Sequence, residues 1–307
     1  MNQQCTYASQ TWGVHDQRWV DALVSLGFNV EVRSCERDDL SSDQLLELLS
    51  TTCGPILAGP LTTITRHLIG ITQPLIGLSW GFDLLQLKDE ETDLSWLRRL
   101  DGLIVDSAAT RDIALQSGLP ELSVHTIPWG VDLEEFTPDG PAMDLQAWTV
   151  PESASVVLSL RALEPLYRVT DIIDGFAEIA VVDSDVHLVI GNDGSLRQQL
   201  EARIKTLGIS DRVTFIGRHP ESDLPGLLRA VTVYVTASEV DGSSVTLLQA
   251  MASGVPVIAS ATPGNEEWVI SGKTGYLFTT GSPQELASSL LLALDAGARS
   301  HSTGHAV

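Results

Sequence analysis

The stretch SEVDGSSVTLLQAMASGVPVIAS, residues 238–260, decides the fold. It passes from an apolar run through an acidic turn with one glycine into a helical pattern, which leads to a second apolar run. A helix that begins directly after such a turn presents backbone N–H groups and the positive end of its dipole. The candidate phosphate-binding groups in this turn are Gly242, Ser243 and Ser244. Asp241, in the same turn, is a candidate acceptor for ligand hydroxyl groups.

The local pattern is equally consistent with a purely structural role. Asp241 or Ser243 would then only cap the helix, and Gln249, eight residues after Asp241, would be a surface residue. Strand–turn–helix units occur throughout α/β proteins, so this turn needs the context of the whole chain.

Apolar runs alternate with helical stretches on both sides of this segment, which predicts βαβ units and parallel sheets. The predicted strands span 28–33, 54–58, 74–79, 102–106, 122–127, 155–160, 186–190, 212–217, 231–238 and 255–260. The predicted helices span 16–26, 42–50, 95–100, 108–117, 170–180, 195–207, 223–230, 244–253, 265–271 and 283–295. Ser195 and Gln198 form a capping-box pattern at the start of one helix. Gly27, Gly118 and Gly208 are predicted to follow helix C-termini.

Residues 137–154 contain three prolines and little periodicity, which indicates a connection between domains. We therefore predict a first doubly wound domain over 1–138, a linker over 139–154, a second such domain over 155–295 and a flexible tail over 296–307. Two such domains are expected to enclose a ligand cleft between the carboxyl ends of their strands.

The composition excludes several classes of protein. Lys and Arg number 18 against 40 Asp and Glu, a formal net charge of −22, so a nucleic-acid binder or a protein docked on anionic lipid is not expected. Three cysteines without metal-ligand spacing predict reduced thiols and no metal site. We expect neither a signal peptide nor a membrane span, and hence a cytoplasmic location.

Six segments in order resemble the retaining glycosyltransferases of family 4, the group 1 glycosyltransferases. They are IPWGVDLEEFTP (127–138), SLRALEPLY (159–167), LVIGNDGSLRQQLE (188–201), SDRVTFIGRHPESDLPGLLRAVTVYVTAS (210–238), the stretch quoted first, and PGNEEWVISGKTGYLF (263–278). The resemblance implies the α/β GT-B fold, in which two doubly wound Rossmann-like domains face a central cleft.

The resemblance also implies a donor site. The family's Glu-x7-Glu signature is here Asp241-x7-Gln249, so Asp241 would bind the sugar hydroxyls and Gln249 the ribose hydroxyls of a nucleotide-sugar. A carboxylate-to-amide change keeps an acceptor but loses its charge. His219 either lies near the nucleotide base, as the matching loop does in the family, or is a surface residue.

A basic pair in this family neutralises the leaving diphosphate. Arg161 is retained, whereas Tyr167 stands at the position of the family's Lys and is followed by Arg168. Arg168 either substitutes for that Lys or is a solvated loop residue.

In the first domain, the family often has a glycine-rich loop after its first strand, and this chain offers only Gly13. LSWGFDLL (78–85) resembles the end of a strand at which this family often has a His. Trp80 stands at the position of that His. Asp83 is a candidate acceptor-binding group. Trp80 is equally consistent with a packing role, since its ring can either stack on a sugar or fill a wall.

The expected function is metal-independent transfer of a sugar, with retention of configuration, from a UDP- or GDP-sugar to a sugar, lipid-linked or small-molecule acceptor. Polysaccharide or glycoconjugate biosynthesis is the expected setting, and no cofactor is expected. Two alternatives remain at this point: a nucleotide-binding or scaffold homologue with weak activity, and a GT-B sugar-nucleotide epimerase.

Overall fold

The protein folds into two compact units, each with its own parallel sheet. The computed structural model describes residues 4–61, 63–90 and 93–303. The first unit ends at Pro128 and the second begins at Trp129. Each unit contains one six-stranded sheet, and the pairs within both sheets are parallel. The predicted βαβ organisation is therefore confirmed.

The first unit alternates short strands and helices. Its strands are β1 Gln4–Ser9, β2 Asn29–Ser34, β3 Ile56–Ala58, β4 Leu75–Leu78, β5 Gly102–Val105 and β6 Val124–Thr126. Its α-helices are α1 Val14–Ser25, α2 Cys35–Asp38, α3 Ser42–Ser50, α4 Thr63–His67, α5 Phe82–Glu90 and α6 Ala108–Gln116. The strand order β2-β1-β3-β4-β5-β6 places the reversal of the sheet between β1 and β3.

The second unit has the longer and more regular elements. Its strands are β7 Ser155–Ser159, β8 Val186–Gly191, β9 Val213–Gly217, β10 Val233–Thr236, β11 Val257–Ser260 and β12 Tyr276–Phe278. Its α-helices are α7 Val169–Ala180, α8 Arg197–Leu207, α9 Leu224–Arg229, α10 Val245–Ala252, α11 Pro263–Glu266 and α12 Pro283–Thr303. The strand order is β12-β11-β10-β7-β8-β9. Read from the β9 edge, with β7 counted as the first strand, this is the 3-2-1-4-5-6 order of dinucleotide-binding sheets.

Alternating side chains of β7 hold the second sheet between two apolar layers. Val157 packs with Phe176 of α7 in one buried cluster, whereas Val156 and Leu158 belong to the cluster on the other face. Phe176 is fully buried, and burial of a side chain of this size stabilises the fold by about 1.5–3 kcal/mol. Both sheet faces are therefore covered, as a parallel sheet requires.

The segment 136–154, which contains three prolines and is called the prolyl segment below, packs on the second unit. Phe136 and Val150 lie in the core cluster that also contains α9 and α10 residues. Arg229 of α9 donates from Nε to the Pro141 carbonyl at 3.0 Å and from Nη1 to the Thr137 carbonyl at 3.2 Å. The stretch interpreted as a linker is thus tied to the second unit, and the division between the units falls before it.

Most sequence-predicted elements are present, and the exceptions have physical reasons. Strand β1 was not predicted because its segment QCTYAS carries buried polar side chains, Thr6 and Ser9, instead of an apolar run. The short elements α2, α4 and β12, and the helix α5, were also missed. Gly27, Gly118 and Gly208 have φ of +88°, +91° and +72° after their helices, which confirms the predicted left-handed ends.

Several predicted helix boundaries differ from those of the structure. The capping box at Ser195 does not form, since α8 begins at Arg197 with Leu196 as N-cap and Ser195 instead donates to Glu164. The predicted helix 265–271 is the earlier and shorter α11, Pro263–Glu266. Helix α12 continues to Thr303, past the predicted end at 295, while residues 304–307 of the predicted tail lie outside the described residues.

No helix in the described part of the chain has both the length and the apolar character that crossing a membrane requires.

Candidate functional site

The candidate site of the second unit lies where the strand order reverses. Strands β7 and β10 are neighbours in the sheet, and the chain leaves them toward opposite edges. Arg161 follows the carboxyl end of β7, and Asp241 lies in the turn that follows β10. Open α/β sheets bind their ligands at such a switch point, because the two departing loops leave a crevice between them.

Arg161 and Asp241 form an ion pair at this switch point. Arg161 Nη2 lies 3.0 Å from Asp241 Oδ2, and the two side chains are only 15% and 10% exposed. Arg161 Nη1 donates to Ser244 Oγ at 3.1 Å. The guanidinium also stacks on the Tyr167 ring, 4.3 Å from its centroid. Four residues predicted from separate parts of the sequence are therefore in contact.

Burial and charge pairing act in opposite directions on the pKa values of this pair. Burial raises the pKa of Asp241, even though the charge of Arg161 and hydrogen bonds from Ser238 and Gly242 act in the opposite direction. For Arg161, burial alone would lower the pKa, but Asp241 and the neighbouring tyrosines leave it raised. Arg161 is therefore a permanent cation. Asp241 Oδ2 has no hydrogen bond of good geometry despite its ion pair.

Tyr234 of β10 is a member of this site that the sequence did not reveal. It is fully buried, and its hydroxyl is close enough to influence the pKa of Arg161. Burial raises the pKa of Tyr234, so the hydroxyl stays protonated. The segment VYVT indicated only a strand, because a tyrosine is common on a packed strand face.

The turn before α10 is buried, and the side chain of its N-cap residue is directed at Arg161. Ser244 is the N-cap residue, but its side chain makes no capping hydrogen bond and accepts from Arg161 instead. Ser243 and Ser244 are 5% and 2% exposed, and Gln249 is 2% exposed within α10. The alternative of a surface position for Gln249 is therefore wrong.

Gly264 supports this turn through backbone contact. A Cβ on Gly264 would lie 1.6 Å from the Gly242 carbonyl oxygen and 2.7 Å from that of Asp241. Asn265, the next residue in α11, ties this helix to the end of β11 by donating from Nδ2 to the Ser260 carbonyl at 2.9 Å. The sequence signal for this contact is the Pro263–Gly264 pair, which is separated by two residues from the end of β11, the strand beside β10.

The loop that carries Arg161 and Tyr167 is fixed by the next βα loop. The Glu164 carboxylate accepts from the Ser195 N–H at 2.8 Å and from the Ser195 hydroxyl. The Leu163 N–H donates to the Asp193 carbonyl at 3.0 Å. These bonds fix the backbone of the loop that carries Arg161.

The two remaining donor-site candidates lie beside this group. Arg168 donates from Nε to Asp171 at 2.7 Å, and its Nη1 lies 3.9 Å from a Glu239 oxygen. Its charge is therefore already shared between two carboxylates. His219 is half-buried and follows β9. Its ring packs over Gly191, at the carboxyl end of β8.

In the first unit, Gly13 lies at the reversal of its own sheet. Gly13 is the N-cap of α1 and donates its N–H to Asp16 Oδ2 at 2.8 Å. Asp16 is fully buried and accepts from the Tyr7 hydroxyl at 3.0 Å. Asp16 was not predicted, although an acidic residue in the first turn is typical of a helix start.

Trp80 and Asp83 follow β4 in the same unit. The half-buried Trp80 ring makes an edge contact with His15, at 5.4 Å between centroids. Asp83 is 5% exposed. It accepts from the Ser79 hydroxyl at 2.7 Å and from the N–H groups of Leu61, Leu84 and Trp80 at 2.6, 2.8 and 3.0 Å. Its oxygens are thus used within the unit, and the carboxylate stabilises the two loops instead of facing a ligand.

No group of three or more His, Cys, Asp or Glu side chains with metal-binding geometry occurs within residues 4–61, 63–90 and 93–303.

Residues 144–306 match the family described as glycosyl transferases group 1. The chain belongs to this family. Among curated proteins, it is 29% identical over 177 residues to mannosylfructose-phosphate synthase from Agrobacterium fabrum, which covers 54% of this chain and 39% of that protein. The chain therefore spans less than half the length of this relative.

Two solved structures show the same architecture. Sucrose-phosphate synthase from Thermosynechococcus elongatus matches with a TM-score of 0.78 and 17% identity over 97% of this chain and 91% of that chain. Anabaena Alr3699/HepE in complex with UDP-glucose matches with a TM-score of 0.73 and 20% identity over 96% and 94%. The predicted fold class, an α/β GT-B protein with two doubly wound Rossmann-like domains, is confirmed.

Replacement of Gly264 by Ala is expected to disrupt the candidate site. The new Cβ would overlap the Gly242 carbonyl, so the turn from Asp241 onward must move, at a cost of roughly 1–3 kcal/mol in the free energy of unfolding. Urea denaturation measures this loss. Gly130→Ala is the matched control, since a Cβ there meets nothing within 4 Å. Equal stability of the two variants would contradict the close backbone contact.

Asp83 should make the stability of the protein pH-dependent. Burial raises its pKa from 3.8 to about 6, so the folded chain binds the proton more tightly than the unfolded chain. This contribution is full below pH 4 and is lost as the pH rises through 6. Between pH 5.0 and 7.5 it amounts to about 1 kcal/mol.

The free energy of unfolding of the wild type minus that of Asp83→Asn should therefore be larger at pH 5.0 than at pH 7.5. Urea denaturation at the two pH values measures both free energies. Asp211→Asn is the control, because that side chain is 82% exposed. A difference that stays constant across this range would refute the burial-raised pKa.

Proposed function

We propose that this protein transfers a sugar from a UDP- or GDP-sugar to an acceptor, with retention of the anomeric configuration and without a metal ion. The observation that carries the proposal is the convergence of Arg161, Tyr167, Asp241 and Ser244 at the switch point between β7 and β10. Membership of the group 1 family supports the reaction class.

The phosphate end of the donor is assigned to Arg161 and the N-terminus of α10. When the bond between the anomeric carbon and the diphosphate breaks, negative charge develops on the leaving oxygen. A guanidinium binds phosphate oxygens through two parallel N–H groups, and the helix N-terminus adds backbone donors and the dipole. Because these groups are already oriented, they stabilise the developing charge without the reorientation that water molecules would need. They support metal independence because they supply the positive charge locally.

The sugar and ribose ends are assigned to Asp241 and Gln249. Asp241 Oδ2 is buried and lacks a hydrogen bond of good geometry, so it can accept from a sugar hydroxyl. Gln249 is buried in α10, where its amide carbonyl can accept from ribose hydroxyls. Tyr167 holds the plane of the Arg161 guanidinium by stacking. His219, and Arg168 once released from Asp171, are proposed to contact the nucleotide.

Retention is proposed from the family resemblance, and the chemistry of this group of residues is compatible with it. The group offers cation and hydrogen-bond donors at the leaving group and hydroxyl acceptors at the sugar. Such a site favours departure and attack on the same face through an oxocarbenium-like state, in which positioning and leaving-group stabilisation do most of the work. In the first unit, Gly13 and Trp80 are proposed to lie on the acceptor side, while Asp83 is not retained there.

The names of similar proteins support a nucleotide-sugar donor. Anabaena Alr3699/HepE was solved with UDP-glucose, and the Agrobacterium relative is a synthase of a mannosylated sugar phosphate. A sugar, lipid-linked or small-molecule acceptor is proposed for this chain. With a net charge of −22, the chain must bind an anionic donor through the local charge of this site.

A second candidate function is a nucleotide-binding or scaffold subunit with weak activity. The neutral Gln249 in place of a carboxylate, and the neutralisation of Arg161 by Asp241, favour it.

Nucleotide-sugars should raise the unfolding temperature of the protein, and Arg161→Ala should remove most of this shift. A ligand at about 100 times its Kd stabilises by about 2.7 kcal/mol, and loss of a charged hydrogen-bonding group weakens binding roughly tenfold to a hundredfold. Thermal-shift assays with UDP, GDP, UDP-glucose and GDP-mannose measure the effect against each variant's own ligand-free midpoint.

The matched control is Arg203→Ala, which removes an arginine paired with Asp174 on the surface of the same unit. If no nucleotide shifts the wild type, or if Arg161→Ala keeps the full shift, the donor-site assignment is wrong.

The transferred sugar should keep its configuration, and EDTA should leave the rate unchanged. With an α-linked donor, proton NMR of the product is expected to show an α linkage. A β-linked product would contradict retention, and activity lost to EDTA and restored by a divalent ion would contradict metal independence. Binding with neither transfer nor donor hydrolysis would favour the scaffold function.

A further inference from the structure

Nη1 and Nη2 of Arg161, the pair of nitrogens that would face a diphosphate, both have partners within the protein. Nη1 donates to Ser244, and Nη2 faces Asp241 at 3.0 Å. One face of the guanidinium is covered by the Tyr167 ring. Two-point binding of phosphate oxygens needs two N–H groups directed at the ligand. A diphosphate that binds Arg161 through Nη1 and Nη2 therefore competes with Asp241 for the same cation.

The cost of this exchange depends on what happens to Asp241. Its side chain is 10% exposed, and a buried carboxylate that loses its cation is strongly destabilised. A nucleoside diphosphate has no sugar beyond its terminal phosphate, so it places only phosphate oxygens beside Asp241 and offers this carboxylate no donor there. A nucleotide-sugar brings hydroxyl groups that donate to the carboxylate and compensate for the lost partner.

We propose that Asp241 determines specificity for the intact nucleotide-sugar over the nucleoside diphosphate, by competing with the diphosphate for Arg161. This inference rests on the proposed function, because it assigns the diphosphate to Arg161 and the sugar to Asp241. Once the sugar has been transferred, Asp241 regains Arg161 only when the nucleoside diphosphate leaves. The same ion pair therefore opposes both entry of the bare nucleotide and inhibition by the product.

Calorimetric titration of Asp241→Asn tests the competition. UDP and UDP-glucose, and in parallel GDP and GDP-mannose, are titrated into wild type and variant. The variant cannot neutralise Arg161, so the Kd of the nucleoside diphosphate should fall roughly tenfold or more. The Kd of the nucleotide-sugar should stay unchanged or rise, so the preference for the sugar-bearing ligand should shrink.

Two further variants separate competition from general effects. Asp241→Glu keeps the charge and should keep the wild-type preference. Asp174→Asn removes an equal charge from the Arg203 pair elsewhere in the unit and should bind like the wild type. Asp241→Ser provides a second neutral variant, judged by the same Kd values, in case the Asn variant folds poorly.

An unchanged or weaker affinity of the neutral variants for the nucleoside diphosphate would overturn the inference, as would an equal gain in Asp174→Asn. Unfolding of both neutral variants would also overturn it, because the ion pair would then be structural. If the wild type and all variants bind no nucleotide, the proposed function itself fails. These outcomes are therefore distinguishable.

Discussion

The contact between Arg161 and Asp241 is the interaction on which the candidate site depends. It joins the loop after β7 to the turn after β10 across the point where the strand order reverses. Because both side chains are largely buried, each charge is tolerable only in the presence of the other or of a ligand that replaces it. The surrounding elements can be understood as support for this pair. Glu164 fixes the loop on one side, and Gly264 allows the turn on the other side to pack closely.

Rigidity around the pair matters more than the number of charges. The chain is strongly acidic, yet the site holds a cation that is aligned by an aromatic ring, a hydroxyl and a carboxylate. An anionic substrate is then recognised by geometry at one place instead of by the field of the whole surface. The buried Tyr234 adds a polar group below the pair without adding charge at neutral pH.

The sequence predicted the repeating pattern of the fold because buried parallel strands are continuous apolar runs. It failed at β1, where Thr6 and Ser9 are buried in a polar segment. For the site, family resemblance and spacing identified Arg161 and Asp241, but not Tyr234 or Gly264, whose contribution comes from contacts between distant segments. Asp83 shows the reverse error: a conspicuous acidic residue that is used entirely by hydrogen bonds within its own unit.

The attachment of the prolyl segment to α9 bears on how the two halves of the protein can be separated. Phe136 and Val150 are part of the core of the second unit, and Arg229 binds the carbonyls that lie between them. A fragment that starts at 155 would lack these two side chains, so the part of the apolar cluster that they cover would be exposed and prone to aggregation. A fragment that starts at Trp129 carries its own cover, so it is the natural unit for autonomous folding.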